Sequence, residues 1–144
     1  MIASQSSLGR PVATTLRVLI VFDTIALLFA GIVHLVGATI PLGSAVFDEP
    51  PLLPAGIVET LAGLLFAWAA YSVFAARPSA WTAALVAHLF AIAGFLVGIY
   101  ATRAGTTPFN QAYHYAMTAI FVVSLILVLL PAGRAALGRR SSTL

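Results

Sequence analysis

Four apolar segments, each about 20 residues long and nearly free of charge, constrain this sequence more than any other feature. A helix of about 20 predominantly apolar residues spans the hydrocarbon core of a bilayer, which is about 30 Å thick. We predict such spans at about residues 16–40, 54–76, 80–101 and 109–130. Open strands cannot satisfy their backbone polar groups in lipid, so all four spans are predicted to be helical. The predicted fold is an all-α, transmembrane four-helix bundle with up-down topology, in which residues 1–144 form a single membrane domain.

The composition agrees with a membrane environment. Hydrophobic residues make up 61% of the chain and charged residues only 8%, and the mean hydropathy is +1.06. Soluble domains are about a quarter charged, so this chain has too few charges to cover a surface in water. All seven basic residues are arginines scattered near segment ends, which argues against a nucleic-acid partner. The absence of cysteine excludes disulfides, thiolate chemistry and iron–sulfur ligation.

The arginines also predict how the chain is oriented, because short loops rich in Lys or Arg stay on the cytoplasmic side. Six arginines belong to one side of the predicted bundle: Arg10, Arg17, Arg77, Arg134, Arg139 and Arg140. The opposite side holds Asp48, Glu49 and Arg103. Both termini are therefore predicted to be cytoplasmic, with residues 41–53 as the largest external loop. A signal peptide is disfavoured because the first apolar run is longer than a signal segment and carries acidic and imidazole groups.

Five titratable side chains fall inside the predicted spans: Asp23, His34, Glu59, His88 and His114. Such groups are costly in lipid and usually face the interior of a helix bundle. Their depths along the helices predict that His34, Glu59 and His114 converge in one external-side pocket. Three further polar residues are expected near its mouth: Asn110, Tyr113 and Tyr115. Asp23 and His88 lie deeper and are expected to form a separate pair.

Small residues surround two of these positions. The helix faces around His34 and Glu59 are rich in Ala and Gly, which favours close approach of a neighbouring helix. Gly94 and Gly98 form a G-x-x-x-G pattern in the third span. Because this spacing is common by chance in spans rich in Gly and Ala, packing within the bundle is favoured over dimerisation.

The pocket has three interpretations. The structural one is that His34, Glu59 and His114 pair with each other and with hydroxyl groups, which would fix the helix register. The second is a binding site for a small polar or amphipathic molecule, such as a quinone or a lipid head group. The third is a metal triad, or a haem with His34 and His114 as axial ligands, although no diagnostic spacing supports either. For Asp23 and His88, a buried neutralised pair is favoured over a proton relay.

The sequence also carries a pattern found in a known family. Residues 26–34, Ala-Leu-Leu-Phe-Ala-Gly-Ile-Val-His, lie toward the end of the first span, and residues 56–64, Gly-Ile-Val-Glu-Thr-Leu-Ala-Gly-Leu, open the second. This order resembles the DoxX-like family of four-helix membrane proteins over the first three spans. Only Glu59 matches a motif residue of that family, and His34 stands where many relatives have lysine. The resemblance implies a bacterial cytoplasmic-membrane protein that serves as an accessory or quinone-linked subunit of a redox system.

The predicted function is therefore an integral membrane subunit of a redox or respiratory system that binds a quinone or another small head group in the external-side pocket. Glu59 would act as proton acceptor or hydrogen-bond partner. The expected partners are the lipid bilayer, a quinone, and a redox-complex subunit or a second copy of the chain. The alternatives are a small-molecule permease or exporter subunit, and a haem- or metal-binding membrane protein. The sequence contains no phosphate-binding loop or nucleophile elbow, so catalysis by this chain alone is not expected.

Overall fold

The computed structural model describes residues 5–43, 45–103, 105 and 107–138. Its helices and strands are, in chain order, α1 (Gln5–Val36), β1 (Ala38–Leu42), β2 (Ala45–Glu49), α2 (Leu53–Phe74), α3 (Ala80–Thr102), α4 (Pro108–Leu129) and α5 (Pro131–Leu137). Four of these helices, α1 to α4, are long and apolar enough to cross a membrane. This arrangement confirms the predicted all-α four-helix bundle and supports a multi-pass membrane protein.

Consecutive helices of the bundle pack against each other, and α1 also contacts α4 and α5. The contact between α1 and α2 is close because glycines lie in it. A Cβ atom placed on Gly31 would lie 2.5 Å from Oγ1 of Thr60, and one on Gly63 would lie 2.8 Å from the side chain of Leu28. The small residues around His34 and Glu59 therefore bring these two helices together, which positions both side chains at one interface.

The predicted first span, residues 16–40, differs from α1 at both ends. The helix begins at Gln5 and includes Pro11, which lies before the predicted start of the span. It ends at Val36 because Gly37 adopts a left-handed conformation, with φ of +77°, that favours glycine. The N–H of Gly37 donates to the carbonyl of Val33 at 2.7 Å, which satisfies part of the helix end.

The loop predicted at residues 41–53 contains most of an antiparallel β-hairpin that the sequence reading missed. Strand β1 pairs with β2 in a register that places Ala38 opposite Glu49 and Ile40 opposite Phe47. The ring of Phe47 packs edge-on against Phe109 at the start of α4, with 4.8 Å between ring centroids. The hairpin is therefore folded back onto the end of the bundle.

A short helix follows the fourth span, since α5 covers Pro131–Leu137. Leu137 is 6% exposed and belongs to the same apolar core as Leu16 and Ile20 of α1. Burial of Leu137 stabilises α5, although this helix lies outside the predicted spans.

The outer faces of the bundle are apolar and the inner faces carry the polar groups. On α1 the exposed side chains include Phe22, Ile25, Phe29 and Ile32, which recur at helical spacing. Asp23, by contrast, is completely buried on the opposite face. This distribution is the one expected of a bundle whose solvent is lipid.

Candidate ligand-binding site

All five titratable residues predicted inside the spans are buried in the bundle: Asp23, His34, Glu59, His88 and His114. Polar residues that share this interior are Glu49, Ser72, Asn110 and Ser124. Buried polar groups need partners, since an unsatisfied one costs about 1–3 kcal/mol. The partners found in the structure divide these residues into an outer network and a deeper pair.

The outer network is centred on His34 and Glu59. Nδ1 of His34 lies 2.5 Å from Oε2 of Glu59, which joins the last turns of α1 to the second turn of α2. The second oxygen of the carboxyl group, Oε1, is buried and has no hydrogen-bond partner among the described residues. One short hydrogen bond thus connects α1 and α2, which approach each other through glycines. It uses only one of the two carboxyl oxygens of Glu59.

Asn110 brings α4 into the same network. Its side-chain nitrogen, Nδ2, lies 3.0 Å from Nε2 of His34 and donates to Oε1 of Glu49 at 2.6 Å. The start of α4 fixes this position, because Thr107 is the N-cap residue and its hydroxyl oxygen accepts from the N–H of Asn110 at 3.1 Å. Pro108 follows the cap at the first helical position, where proline is favoured.

Glu49 reaches the network from the hairpin. It ends β2, is 6% exposed, and its Oε2 accepts from the hydroxyl of Thr107 at 3.2 Å. Strand geometry places Phe47 and Glu49 on the same face, so the packing of Phe47 on Phe109 also directs Glu49 toward α4. The sequence reading treated Glu49 only as a loop charge and therefore missed its role. The sequence feature that could have indicated this role is the two-residue spacing between Phe47 and Glu49. In a strand, this spacing places both side chains on one face.

His114 lies one turn farther along α4 than Asn110. Its Nδ1 donates to the backbone carbonyl of Asn110 at 2.9 Å, and its ring packs against Phe95, with 5.0 Å between ring centroids. Gly98 leaves room for this ring, because a Cβ there would lie 3.0 Å from Nε2 of His114. Within the described residues, Gly98 of the G-x-x-x-G pattern therefore faces α4, whereas Gly94 faces Val58 of α2.

A cavity of about 630 Å³ lies between α2 and α3 at the hairpin end of the bundle. Its walls are mostly apolar, and its polar lining side chains are Glu49, Glu59, Thr102, Thr107 and His114. The structure thus places Glu59 and His114 on one cavity, whereas His34, which was predicted to converge with them, lines a different cavity. Tyr115 is 56% exposed and does not line it, which corrects its predicted place near the mouth.

A smaller cavity of about 260 Å³ lies on the other side of the network, between α1, the hairpin and α4. Its lining includes His34, Glu49, Asn110 and Tyr113. The hydroxyl of Tyr113 is buried without a hydrogen-bond partner among the described residues. The network of His34, Glu49, Glu59 and Asn110 therefore separates two cavities, of which the larger has room for a head group and the start of a tail.

Asp23 and His88 form the deeper pair. Both are completely buried, and Nε2 of His88 lies 4.0 Å from Oδ2 of Asp23, beyond hydrogen-bond distance. Nδ1 of His88 donates to the carbonyl of Ala84 at 2.7 Å, and the ring packs edge-on against Phe66. Both oxygens of Asp23 lack a partner among the described residues. Neither residue lines either cavity, so the predicted binding residues Asp23 and His88 lie outside the candidate site.

The described side chains do not fit the metal or haem interpretations. Among the described residues, no three His, Asp or Glu side chains are arranged to hold a metal ion. Both ring nitrogens of His34 are engaged, by Glu59 and by Asn110, so His34 offers no nitrogen to a haem iron. The predicted triad of His34, Glu59 and His114 is instead linked through Asn110.

The fold and the site define a multi-pass, four-helix membrane protein with a buried hydrogen-bond network beside an apolar-walled cavity. No protein-family model matches the sequence, and no curated protein or solved structure is significantly similar to it. The geometry of the described residues is therefore the basis for a functional proposal.

Proposed function

We propose that this protein is an integral membrane subunit of a redox or respiratory system and that it binds a quinone-type or similar small head group in the larger cavity. The observation that supports this proposal most directly concerns Glu59, which lines an apolar cavity and whose buried Oε1 has no hydrogen-bond partner among the described residues. Sites for amphipathic molecules have this form, with apolar walls and a few placed polar groups.

Size and position support the same ligand class. The volume of about 630 Å³ falls in the range of ligand pockets, which is about 300–1,000 Å³. The cavity lies beside helices whose outer faces are apolar, so a hydrophobic tail can extend into lipid while the head group remains near Glu59 and His114. A ligand with a ring and an isoprenoid or alkyl tail matches these two environments.

The location proposed for this protein is the bacterial cytoplasmic membrane, with both termini cytoplasmic and the hairpin outside. The distribution of arginines supports this orientation, and the DoxX-like pattern in the first two spans supports the bacterial and redox assignment. The redox chemistry is assigned to a partner subunit, because the sequence carries no phosphate-binding loop or nucleophile elbow and the DoxX-like pattern implies an accessory subunit.

The ligand is tested by titrating purified protein in nanodiscs with a short-chain benzoquinone and, anaerobically, with the corresponding hydroquinone. Val97 lines the cavity on its exposed side and takes no part in the hydrogen-bond network, so Val97→Phe should narrow the cavity and weaken binding of either form about tenfold. Val123→Phe is the matched control, because Val123 is exposed on α4 and does not line the cavity. Failure of folded wild-type protein to bind either form would refute the quinone assignment.

The partner is tested separately by purification in mild detergent, followed by identification of the proteins that co-elute. A redox subunit is expected to co-elute in a fixed ratio. Elution of the chain alone, as a monomer or as a homo-oligomer, would contradict the proposed place in a redox complex while leaving ligand binding to the titration.

A further inference from the structure

The hydrogen-bond donors that line the larger cavity are already used inside the protein. The hydroxyl of Thr107 donates to Oε2 of Glu49 at 3.2 Å, and the hydroxyl of Thr102 donates to the carbonyl of Gly98 at 2.8 Å. A hydroxyl group has one proton to donate, so neither threonine has a donor left for a ligand in this arrangement.

The orientation of Asn110 fixes the protonation pattern of His34. Nδ2 lies 2.6 Å from Oε1 of Glu49, and a carboxylate only accepts, so the nitrogen and not the oxygen of the amide must face Glu49. The second proton of that nitrogen is directed at Nε2 of His34, 3.0 Å away, which must therefore accept. His34 then carries its proton on Nδ1 and donates it to Oε2 of Glu59.

The same reasoning applies to His114. Its Nδ1 faces a backbone carbonyl, which only accepts, so Nδ1 carries the proton. In the neutral imidazole the other nitrogen, Nε2, is then an acceptor. That atom lies on the Gly98 side of the ring, and Gly98 lines the cavity.

Two residues that line the larger cavity keep an acceptor atom without a hydrogen-bond partner among the described residues: Glu59, through the buried Oε1, and His114, through Nε2. The carboxyl group of Glu59 is held in position through its other oxygen, Oε2, which accepts from Nδ1 of His34. The hydroxyl of Tyr113 is also buried without a hydrogen-bond partner among the described residues, but Tyr113 lines the smaller cavity. The described lining of the larger cavity is thus rich in acceptors and has no free side-chain donor.

We propose that this cavity selects head groups that donate hydrogen bonds, so that a hydroquinone binds more tightly than the corresponding quinone. The inference rests on the proposed function, since it names the form of the ligand that the same cavity takes. The hydroxyls of a hydroquinone satisfy both acceptors, whereas quinone carbonyls are themselves acceptors and leave Oε1 of Glu59 and Nε2 of His114 unpaired. Unpaired buried acceptors are costly, which is the basis of the discrimination.

The experiment compares the affinities of a short-chain hydroquinone, its quinone and an n-alkylammonium ion for wild-type protein in nanodiscs under anaerobic conditions. The hydroquinone is expected to bind about tenfold more tightly than the quinone, a ratio equivalent to about 1.4 kcal/mol. Equal binding of the two forms, or tighter binding of the quinone, would overturn the inference and leave the proposed function intact. Tight binding of the alkylammonium ion alone would support selection of donors and refute the redox assignment.

Glu59→Gln provides the second measurement, since it keeps the side-chain size and adds an amide donor. The preference for hydroquinone should shrink about tenfold in this variant, with weaker hydroquinone binding and tighter quinone binding. The matched control is Asp48→Asn, which makes the same chemical change at an exposed hairpin residue outside the cavity and should leave the ratio unchanged. An unchanged ratio in folded Glu59→Gln would overturn the assignment of Oε1 as a selecting acceptor.

Discussion

Nδ1 of His34 lies 2.5 Å from Oε2 of Glu59, and this contact joins α1 to α2 within the membrane-spanning part of the bundle. The two residues are 25 positions apart in the chain, and Gly31 and Gly63 allow their helices to approach closely. The pair orients the carboxyl group so that Oε2 is held and Oε1 is buried without a partner among the described residues. Its contribution to stability can be measured separately from ligand binding.

Glu59→Gln should lower the free energy of unfolding in mixed micelles. The substitution removes the charge from an interhelical hydrogen bond, and such bonds within membranes contribute about 0.6–2 kcal/mol, so we expect a loss of about 1 kcal/mol. Asp48→Asn changes an exposed carboxyl group and serves as the control. Equal losses in the two variants would contradict a structural contribution from the His34–Glu59 contact.

Asn110→Asp should destabilise the protein more strongly. The substitution replaces a donor with a carboxyl group beside Oε1 of Glu49, which lies 2.6 Å from the present nitrogen. An uncompensated buried charge costs about 3 kcal/mol or more, and the lost partner of His34 adds to that cost. Gln111→Glu makes the same amide-to-acid change at the neighbouring exposed residue and should have little effect. Comparable melting temperatures for the two variants would argue against the network.

Gly31→Ala should separate α1 from α2. The added Cβ would lie 2.5 Å from Oγ1 and 2.9 Å from the backbone nitrogen of Thr60, and the backbone cannot move aside without moving the helix. We expect a loss of about 2 kcal/mol, as for other overpacked interiors, measured by thermal unfolding in detergent. Gly105→Ala is the control, because no atom of the described residues, its chain neighbours aside, lies within 4 Å of a Cβ at that position. A wild-type melting temperature for Gly31→Ala would show that the interface is looser than described.

Asp23→Val should stabilise the protein. Both oxygens of Asp23 are buried without a partner among the described residues, and Nε2 of His88 is 4.0 Å away. Replacing an unsatisfied polar group with an apolar one of similar size removes its desolvation penalty, so we expect a gain of about 2 kcal/mol in unfolding free energy. Asp48→Val, at an exposed position, should give no such gain. A loss of stability in Asp23→Val would mean that the carboxyl group has a partner, such as a buried water molecule.

Single cysteines can map the topology without background, since the chain contains none. Asp48→Cys lies in the hairpin and Arg77→Cys in the connection between α2 and α3, at the other end of α2. A membrane-impermeant maleimide should label Asp48→Cys in intact cells and Arg77→Cys only after permeabilisation, because short arginine-bearing loops stay in the cytoplasm. Labelling of both positions from one side would refute the four-span topology.

Parts of the site were predictable from the sequence and parts were not. Depth along the helices and the cost of exposure to lipid predicted one pocket for His34, Glu59 and His114; Glu59 and His114 share a cavity, but His34 lines another. Glu49 was missed because its position depends on a hairpin whose strands are only five residues each. Tyr115 was misplaced because it follows His114 directly, and adjacent helical residues point in different directions.

The sequence by itself determined the environment of this protein and the number of its spans, because the transfer of apolar helices from water into lipid depends on composition and length. It also determined that the five intramembrane titratable residues lie inside the bundle, since lipid offers them no hydrogen bonds. Only the tertiary structure decided which polar atoms are paired and which remain free. Asn110 lies 76 residues after His34. Which ring nitrogen of His34 carries the proton depends on the amide of Asn110 and on Glu49 together. Such pairing follows from helix rotation and from the folding of the hairpin over the bundle, which no local pattern contains.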